Sequence, residues 1–263
     1  VLNTDDFGDM AAALRANGVT GVTGRFRVWG GALPYLREID PDQPDWFGYN
    51  PFVSGMNLNF NRAYFEWKKI DGVWRTTVDA RGERFVPGVD MVRVAVAQRD
   101  VPLFTYAPGR VEEWTVASAA LGKGGSRWLP VRDPGAYVAE VFRTLARAQG
   151  IRLEAGEQVA SVPPGDEIGR VESEPLPEVL RDMLKFSTNL TAEAIGMAAS
   201  ARDGARDHAG SGAAMTAWLR GQSGAAARLV DHSGLGPSSR MTAAEMARAL
   251  VTRPKVLLLD EPL

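Results

Sequence analysis

The residues best suited to chemistry are a serine and an asparagine two positions apart, Ser187 and Asn189, between two helical patterns. On a short connection both side chains are free to face a cleft. A hydroxyl there can relay a proton between a general base and a leaving nitrogen, and an amide can hold a peptide backbone in one orientation. Taken alone, the triplet also fits a plainer role, in which Ser187 or Asn189 caps the next helix. Lys185 lies just upstream, and we interpret it as a structural residue.

Helical patterns on both sides must position this triplet. Just before it, an apolar stripe with helical spacing comprises Leu176, Val179, Leu180, Met183 and Leu184. A further helix is expected over residues 191–200. Ser211 is expected to cap the helix after that, and Thr242 with Glu245 forms a capping box that opens the last one.

The first half of the chain shows strand patterns instead. A hairpin is expected over residues 64–79, with its turn at Asp71 and Gly72, because this dipeptide favours the positive φ angles of a type I′ turn. Another strand is expected over residues 89–98, with its valines on one face. We also expect a helix at 9–17, a strand at 25–29 and an ordered loop at 30–50.

The character of the sequence changes near residue 130. Asp133 supplies an N-cap and Pro134 a first-turn proline for a helix that Gly150 ends. The apolar stripe of this helix consists of Tyr137, Val138, Val141, Phe142 and Leu145. A β-rich first half followed by a helix-rich second half predicts an α+β protein.

Bulk properties exclude several classes of function. The chain has 263 residues, a formal net charge of −2, two histidines and no cysteine. This charge gives no reason to expect nucleic acid as a partner. Without cysteine there is no disulfide and no thiolate catalysis, and two histidines are too few for a histidine-based metal site, so no cofactor or metal is predicted. No apolar run reaches the ~20 residues of a transmembrane helix.

Residues 174–193 closely resemble the D-alanyl-D-alanine carboxypeptidase/endopeptidase family, which comprises the class C low-molecular-mass penicillin-binding proteins. The run reads Glu-Pro-Leu-Pro-Glu-Val-Leu-Arg-Asp-Met-Leu-Lys-Phe-Ser-Thr-Asn-Leu-Thr-Ala-Glu. Residues 128–134, Trp-Leu-Pro-Val-Arg-Asp-Pro, fit the same family. Residues 231–236 resemble its Asp-Gly-Ser-Gly-Leu loop, with His232 where glycine is usual. The resemblance covers most of residues 7–251.

This resemblance implies a periplasmic serine hydrolase that acts on peptidoglycan stem peptides through an acyl-enzyme and that binds β-lactams. It implies a β-lactamase-like transpeptidase domain interrupted by a β-rich insertion. Residues 1–130 would then be the inserted region, and residues 131–251 the helical part of the transpeptidase-like domain. In the family's Ser-x-Asn motif, Ser187 becomes the proton relay and Asn189 the residue that positions the substrate.

Two family motifs do not occur in these 263 residues. They are Ser-x-x-Lys, which carries the nucleophile, and Lys-Thr-Gly, which binds the substrate carboxylate. By resemblance they would precede Val1 and follow residue 251, so we interpret the chain as truncated at both ends and expect it to form no acyl-enzyme alone. A rival interpretation is a peptidoglycan-binding or interaction module that keeps the fold without the chemistry.

Two further patterns are interpreted as non-catalytic. Residues 252–263 resemble the Walker B segment of ABC-transporter ATPases, in which an apolar strand ends in Asp-Glu-Pro, here Asp260, Glu261 and Pro262, but no phosphate-binding loop accompanies them. We interpret this tail as foreign to the rest of the chain. Asp231, His232 and Ser233 are the residue types of a hydrolase triad, yet adjacent residues cannot converge in its geometry.

Overall fold

The structure is a computed structural model, and it describes residues 2–251. Val1 and the Walker B-like segment at 252–263 lie outside the described residues. The helices are α1 Thr4–Ala16, α2 Pro134–Ala148, α3 Leu176–Phe186, α4 Asn189–Ala201, α5 His208–Ser223 and α6 Ala243–Val251. The strands are β1 Arg27–Val28, β2 Arg62–Ile70, β3 Val73–Asp79, β4 Val92–Ala97, β5 Phe104–Ala107, β6 Glu112–Ala117, β7 Gly124–Pro130 and β8 Glu157–Gln158. The predicted α+β class is confirmed.

The strands form two three-stranded sheets and one short parallel pair. The first sheet has the order β3-β2-β7 and is antiparallel, and the second has the order β4-β6-β5, in which β4 and β6 run parallel. The predicted hairpin is β2–β3, and its turn residues Asp71 and Gly72 have φ angles of 49° and 79°. The valines of β4 share one face, because Val92 and Val94 are buried while Arg93 and Ala95, which alternate with them, are exposed.

One hydrophobic core runs across residue 130. Helix α2 brings Tyr137, Val138 and Val141 into the cluster that also holds strand residues such as Phe65 and Trp114. The N-cap expected for α2 is present, since the Asp133 carboxylate accepts a hydrogen bond of 2.9 Å from the Ala136 N–H. The first helix of the second half therefore packs directly on the strands of the first half. The division at residue 130 into an insertion and a catalytic part stays a prediction.

Helix α1 begins earlier than expected. Asn3 and Asp6 form a reciprocal capping box, in which the Asn3 side chain accepts from the N–H groups of Asp5 and Asp6, and Asp6 accepts from the Asn3 N–H. A cap three residues before Asp6 fixes the helix start at Thr4 and not at residue 9. Strand β1 is shorter than the range 25–29 that was expected, as it covers only Arg27–Val28.

The prediction that Ser211 caps the fourth second-half helix is wrong. Helix α5 begins at His208, and its N-cap is Asp207, whose carboxylate accepts from the Gly210 N–H at 2.7 Å. Aspartate at this position satisfies the free N–H groups of the first turn, so the helix starts before Ser211 is reached. Ser211 lies inside the helix and is buried.

The capping box predicted for α6 forms only in part. The Thr242 hydroxyl accepts from the Glu245 N–H at 3.2 Å, as expected. The Glu245 carboxylate accepts instead from the Ala226 N–H at 2.7 Å, so it joins α6 to the segment after α5. Within residues 2–251, no helix combines the length and the apolar character that a membrane span requires.

Replacing Tyr137 by phenylalanine tests how α2 is fixed to the sheet. The buried Tyr137 hydroxyl donates to the Arg62 carbonyl at 2.9 Å and accepts from the Asn59 amide at 3.3 Å. Tyr137→Phe leaves both groups without this partner, and we expect a loss of about 1–2 kcal/mol in the free energy of unfolding. Chemical denaturation measures it. Tyr106→Phe is the control, because the Tyr106 hydroxyl has no hydrogen-bond partner among residues 2–251; equal losses in both variants would refute the explanation.

Candidate active site

Ser187 occupies the turn between α3 and α4. Its backbone is left-handed, with φ 49° and ψ 57°, and its N–H bonds to the Met183 carbonyl. A left-handed conformation costs a non-glycine residue free energy and is found where function or surrounding structure enforces it. The side chain is exposed, and within the described chain its hydroxyl makes no hydrogen bond. A ligand that bound at this turn would therefore displace no protein hydrogen bond of the Ser187 hydroxyl.

Asn189 is the first residue of α4, and its side chain is held from outside the helix. The amide Nδ2 donates to the Tyr49 carbonyl at 3.0 Å. The N-cap of α4 is Thr188, which makes no side-chain capping bond. The alternative in which Ser187 or Asn189 serves simply as a helix cap is thus wrong. Lys185 places its ammonium group 4.9 Å from the centroid of the Phe186 ring, and its structural role stays a prediction.

A buried carboxylate on α4 joins this helix to neighbouring parts of the structure. Glu193 is fully buried, and one of its oxygens lies 2.8 Å from His208 Nε2 on α5. The other oxygen accepts the N–H groups of His232 and Ser233, at 3.0 and 2.9 Å. One carboxylate thereby joins α4, α5 and the loop at 231–236. Since Glu193 lies one helical turn after Asn189, this junction fixes where α4 presents Asn189.

His232 also contacts a serine that is distant in sequence. Its Nε2 lies 2.6 Å from the Ser211 hydroxyl, which in turn lies 2.6 Å from the Ser200 hydroxyl. Ser211 is 1% exposed, so no substrate can reach it as a nucleophile. The neighbouring Asp231 carboxylate accepts from Gly234 and Gly236 N–H groups instead. We therefore interpret this serine–histidine pair as a structural contact within the helical region.

Sequence reasoning missed this cluster. His232 lies in the loop at 231–236, as the resemblance implies, but the sequence predicts neither its contact with Ser211 nor the contact between Glu193 and His208. The one signal available was the departure from the family loop, histidine in place of glycine at position 232. In the structure the His232 ring fills the space beside Gly196, where any side chain would collide with it. A glycine on the facing helix is thus what permits the histidine.

The pKa values of the titratable groups in this cluster are shifted in different directions. Burial alone would raise the pKa of Glu193, but hydrogen bonds from His208 and Ser233 hold that pKa below its ordinary value. The same hydrogen bond to Glu193 raises the pKa of His208, whereas burial lowers the pKa of His232. No group of three or more potential ligand side chains among residues 2–251 is arranged to hold a metal ion.

The fold is similar to that of penicillin binding protein 4 (dacB) from Haemophilus influenzae. One solved structure of that protein is 19% identical, with a TM-score of 0.74 over 95% of this chain and 57% of that chain. A second, complexed with a novel β-lactam, is 18% identical, with a TM-score of 0.64 over 95% of this chain and 55% of that chain. This chain therefore spans little more than half the length of the chains that it matches.

A family comparison agrees with the motif. No curated protein matches the chain. The model of the D-Ala-D-Ala carboxypeptidase 3 (S13) family, however, matches residues 1–255. The chain belongs to this family. The resemblance carried by residues 174–193 is thereby confirmed, and the Ser187–Asn189 turn and the Glu193 cluster both lie inside the matched range.

The two histidines should titrate on opposite sides of their ordinary pKa of 6.5. We expect His208 to lose its proton above that value and His232 below it. The stability contributed by protonated His208 is present below pH 6.5 and is lost as the pH rises through its folded pKa. Because the chain has two histidines in all, proton NMR titration resolves both signals, with His208→Gln for assignment. The reverse order, or two pKa values near 6.5, would contradict the described contacts.

A pair of glycine substitutions tests the packing of His232. Gly196→Ala places a methyl group against the His232 ring, and we expect it to lower the free energy of unfolding by about 1–3 kcal/mol. Gly221→Ala in α5 meets no atom within 4 Å and is expected to raise stability by up to ~1 kcal/mol. Thermal denaturation compares them. In a His232→Gly background the penalty at position 196 should vanish; a persistent penalty would show that the ring is not the cause.

Proposed function

We propose that this chain supplies the Ser-x-Asn side of the active site of a serine-type D-Ala-D-Ala carboxypeptidase/endopeptidase that acts on peptidoglycan stem peptides. The observation that carries the proposal is the turn at 187–189. There Ser187 is exposed in a left-handed conformation with an unbonded hydroxyl, next to an Asn189 amide held by a backbone carbonyl. The left-handed backbone of Ser187 ends α3 as its C-cap, and it leaves the hydroxyl exposed beside an amide whose orientation is held, which is the arrangement that a peptide substrate would meet.

The proposed reaction runs through an acyl-enzyme. A serine gives its proton to a general base and attacks the carbonyl of the first D-alanine. The C–N bond to the terminal D-alanine then breaks, and this D-alanine leaves with the proton on its nitrogen; water later releases the acyl group. Ser187 passes that proton to the leaving nitrogen. Asn189 binds the peptide backbone and keeps the carbonyl in line with the nucleophile. The attacking serine belongs to the Ser-x-x-Lys motif, which these 263 residues do not contain.

β-Lactams are the expected inhibitors, since they mimic the acyl-D-Ala-D-Ala group and acylate the same serine. The crystal structure of the Haemophilus influenzae relative with a β-lactam supports this assignment. Peptidoglycan lies outside the cytoplasm, so we propose a periplasmic location for the protein that carries this chain. Carboxypeptidase and endopeptidase action share this site, because both cleave a peptide bond that follows a D-alanine.

Alanine substitution at position 187 tests the proton relay. In a protein that carries this chain together with Ser-x-x-Lys and Lys-Thr-Gly motifs, Ser187→Ala should slow acylation by a β-lactam about 100-fold or more. Thr188→Ala is the matched control, since Thr188 lies in the same turn and makes no side-chain capping bond. Stopped-flow measurement with a chromogenic β-lactam gives both rates. Equal rates for Ser187→Ala and the unmodified protein would contradict the assignment.

The 263-residue chain on its own should remain unacylated, because it lacks a Ser-x-x-Lys serine. Intact-mass spectrometry after incubation with benzylpenicillin is expected to show the unmodified mass. A stoichiometric adduct would place a nucleophile within this chain and overturn the proposed division of roles. Tight co-sedimentation with purified peptidoglycan that is unaffected by Ser187→Ala and Asn189→Ala would instead support a binding module.

A further inference from the structure

The structure assigns Arg132 a positioning role: it fixes the backbone segment at residues 37–50, whose Tyr49 carbonyl holds the side chain of Asn189. The catalytic consequence of this link rests on the proposed function, but the link itself does not. Arg132 belongs to the segment at 128–134 that resembles the family, yet it lies far from position 189 in sequence.

The guanidinium of Arg132 is buried, and in the described chain it forms no direct ion pair, although the carboxylates of Glu38, Asp45 and Glu112 are close enough to favour its charge. The residue is 5% exposed. Its Nη1 donates to the carbonyls of Arg37 and Asn50, at 3.2 and 3.3 Å, and its Nη2 donates to the Asp45 carbonyl. A buried cation is costly unless its donors are satisfied. Here main-chain carbonyls of the segment at 37–50 accept hydrogen bonds from these donors. The buried charge is therefore stable only while the segment keeps this path, and the segment is held in this path by the guanidinium.

Glu112 fixes the main chain that carries Arg132. This carboxylate on β6 is 1% exposed. It accepts the Arg132 N–H through both oxygens, at 2.7 and 3.0 Å, and the Asp133 N–H at 2.7 Å. The start of α2 is thus tied to the second sheet directly at Arg132. The guanidinium therefore extends from a fixed base into the segment at 37–50.

The segment at 37–50 forms no helix or regular strand, and Asn50 closes it on itself. The Asn50 side chain accepts from the N–H groups of Ile39 and Asp40 and donates to the Asp40 carbonyl. These bonds tie the two ends of the segment at 37–50 to each other. Arg132 binds this closed segment through carbonyls at its start, middle and end.

Consecutive carbonyls carry the effect to the Ser-x-Asn turn. The Asn50 carbonyl accepts from Arg132, and the preceding carbonyl, that of Tyr49, accepts from Asn189 Nδ2 at 3.0 Å. One N–H of the Asn189 amide is thereby used for orientation. Its Oδ1 and second N–H are left in a fixed direction for the backbone of a bound peptide. Arg132 thus sets the orientation of an amide that it never touches.

The test follows the Asn189 side-chain amide by NMR in the ¹⁵N-labelled chain, with Asn189→Ala for assignment. In Arg132→Gln we expect the amide signals to move and their hydrogen exchange to become about tenfold faster, as the Tyr49 carbonyl is released. Arg132→Lys keeps the charge but not the planar fork, and it should move the same signals in the same direction by less. Arg81→Gln is the matched control, since Arg81 pairs with Asp79 and Glu66 outside this segment.

Unchanged Asn189 signals in a folded Arg132→Gln or Arg132→Lys variant would overturn the proposal, and so would equal changes in Arg81→Gln. The measurement needs neither a nucleophile nor a substrate. Its failure would leave the role of Ser187 in acylation untouched. Conversely, a failed acylation test would leave the link from Arg132 to Asn189 standing.

Discussion

The buried carboxylate of Glu112 is the constraint on which the arrangement around the site depends. It accepts main-chain N–H groups of Arg132 and Asp133 at 2.7–3.0 Å, and so it joins the second sheet to the first turn of α2. Burial raises the pKa of Glu112 to about 7, although the Asp133 and Arg132 N–H groups favour its ionised form. These bonds hold the main chain at two residues. One is Arg132, whose side chain binds the segment at 37–50, and the other is Asp133, which is the N-cap of α2. Core packing, loop path and helix start are thus joined at one point.

Asn189 is the residue on which two such buried anchors converge. The first anchor, Arg132, acts on the Asn189 side-chain amide through the Tyr49 carbonyl. The other anchor is Glu193, one turn further along α4, which binds α5 through His208 and the loop at 231–236 through two N–H groups. A catalytic group is effective only when neighbouring contacts hold its geometry. The surroundings of the Ser-x-Asn turn provide that support from the strand-rich half and from the helical half.

Local patterns predicted local structure well, and they could not predict these anchors. The β2–β3 hairpin and the caps of α2 depend on residues a few positions apart, and the structure has them as expected. The bond from Asn189 to the Tyr49 carbonyl spans 140 residues, and the bond from Glu193 to His232 spans 39. Backbone acceptors at such separations leave no mark in a sequence. The error at α5 has a different origin, since the cap that starts this helix, Asp207, lies only four residues before Ser211.

The most direct test of the account is a double-mutant cycle between Arg132 and Asn189 on the acylation rate. It uses a protein that carries this chain together with the Ser-x-x-Lys and Lys-Thr-Gly motifs. If Arg132 acts through Asn189, Arg132→Gln slows acylation in the unmodified background and has almost no further effect in the Asn189→Ala background. Fully additive effects of the two substitutions would contradict the account, because they would show that Arg132 influences acylation independently of the Asn189 amide.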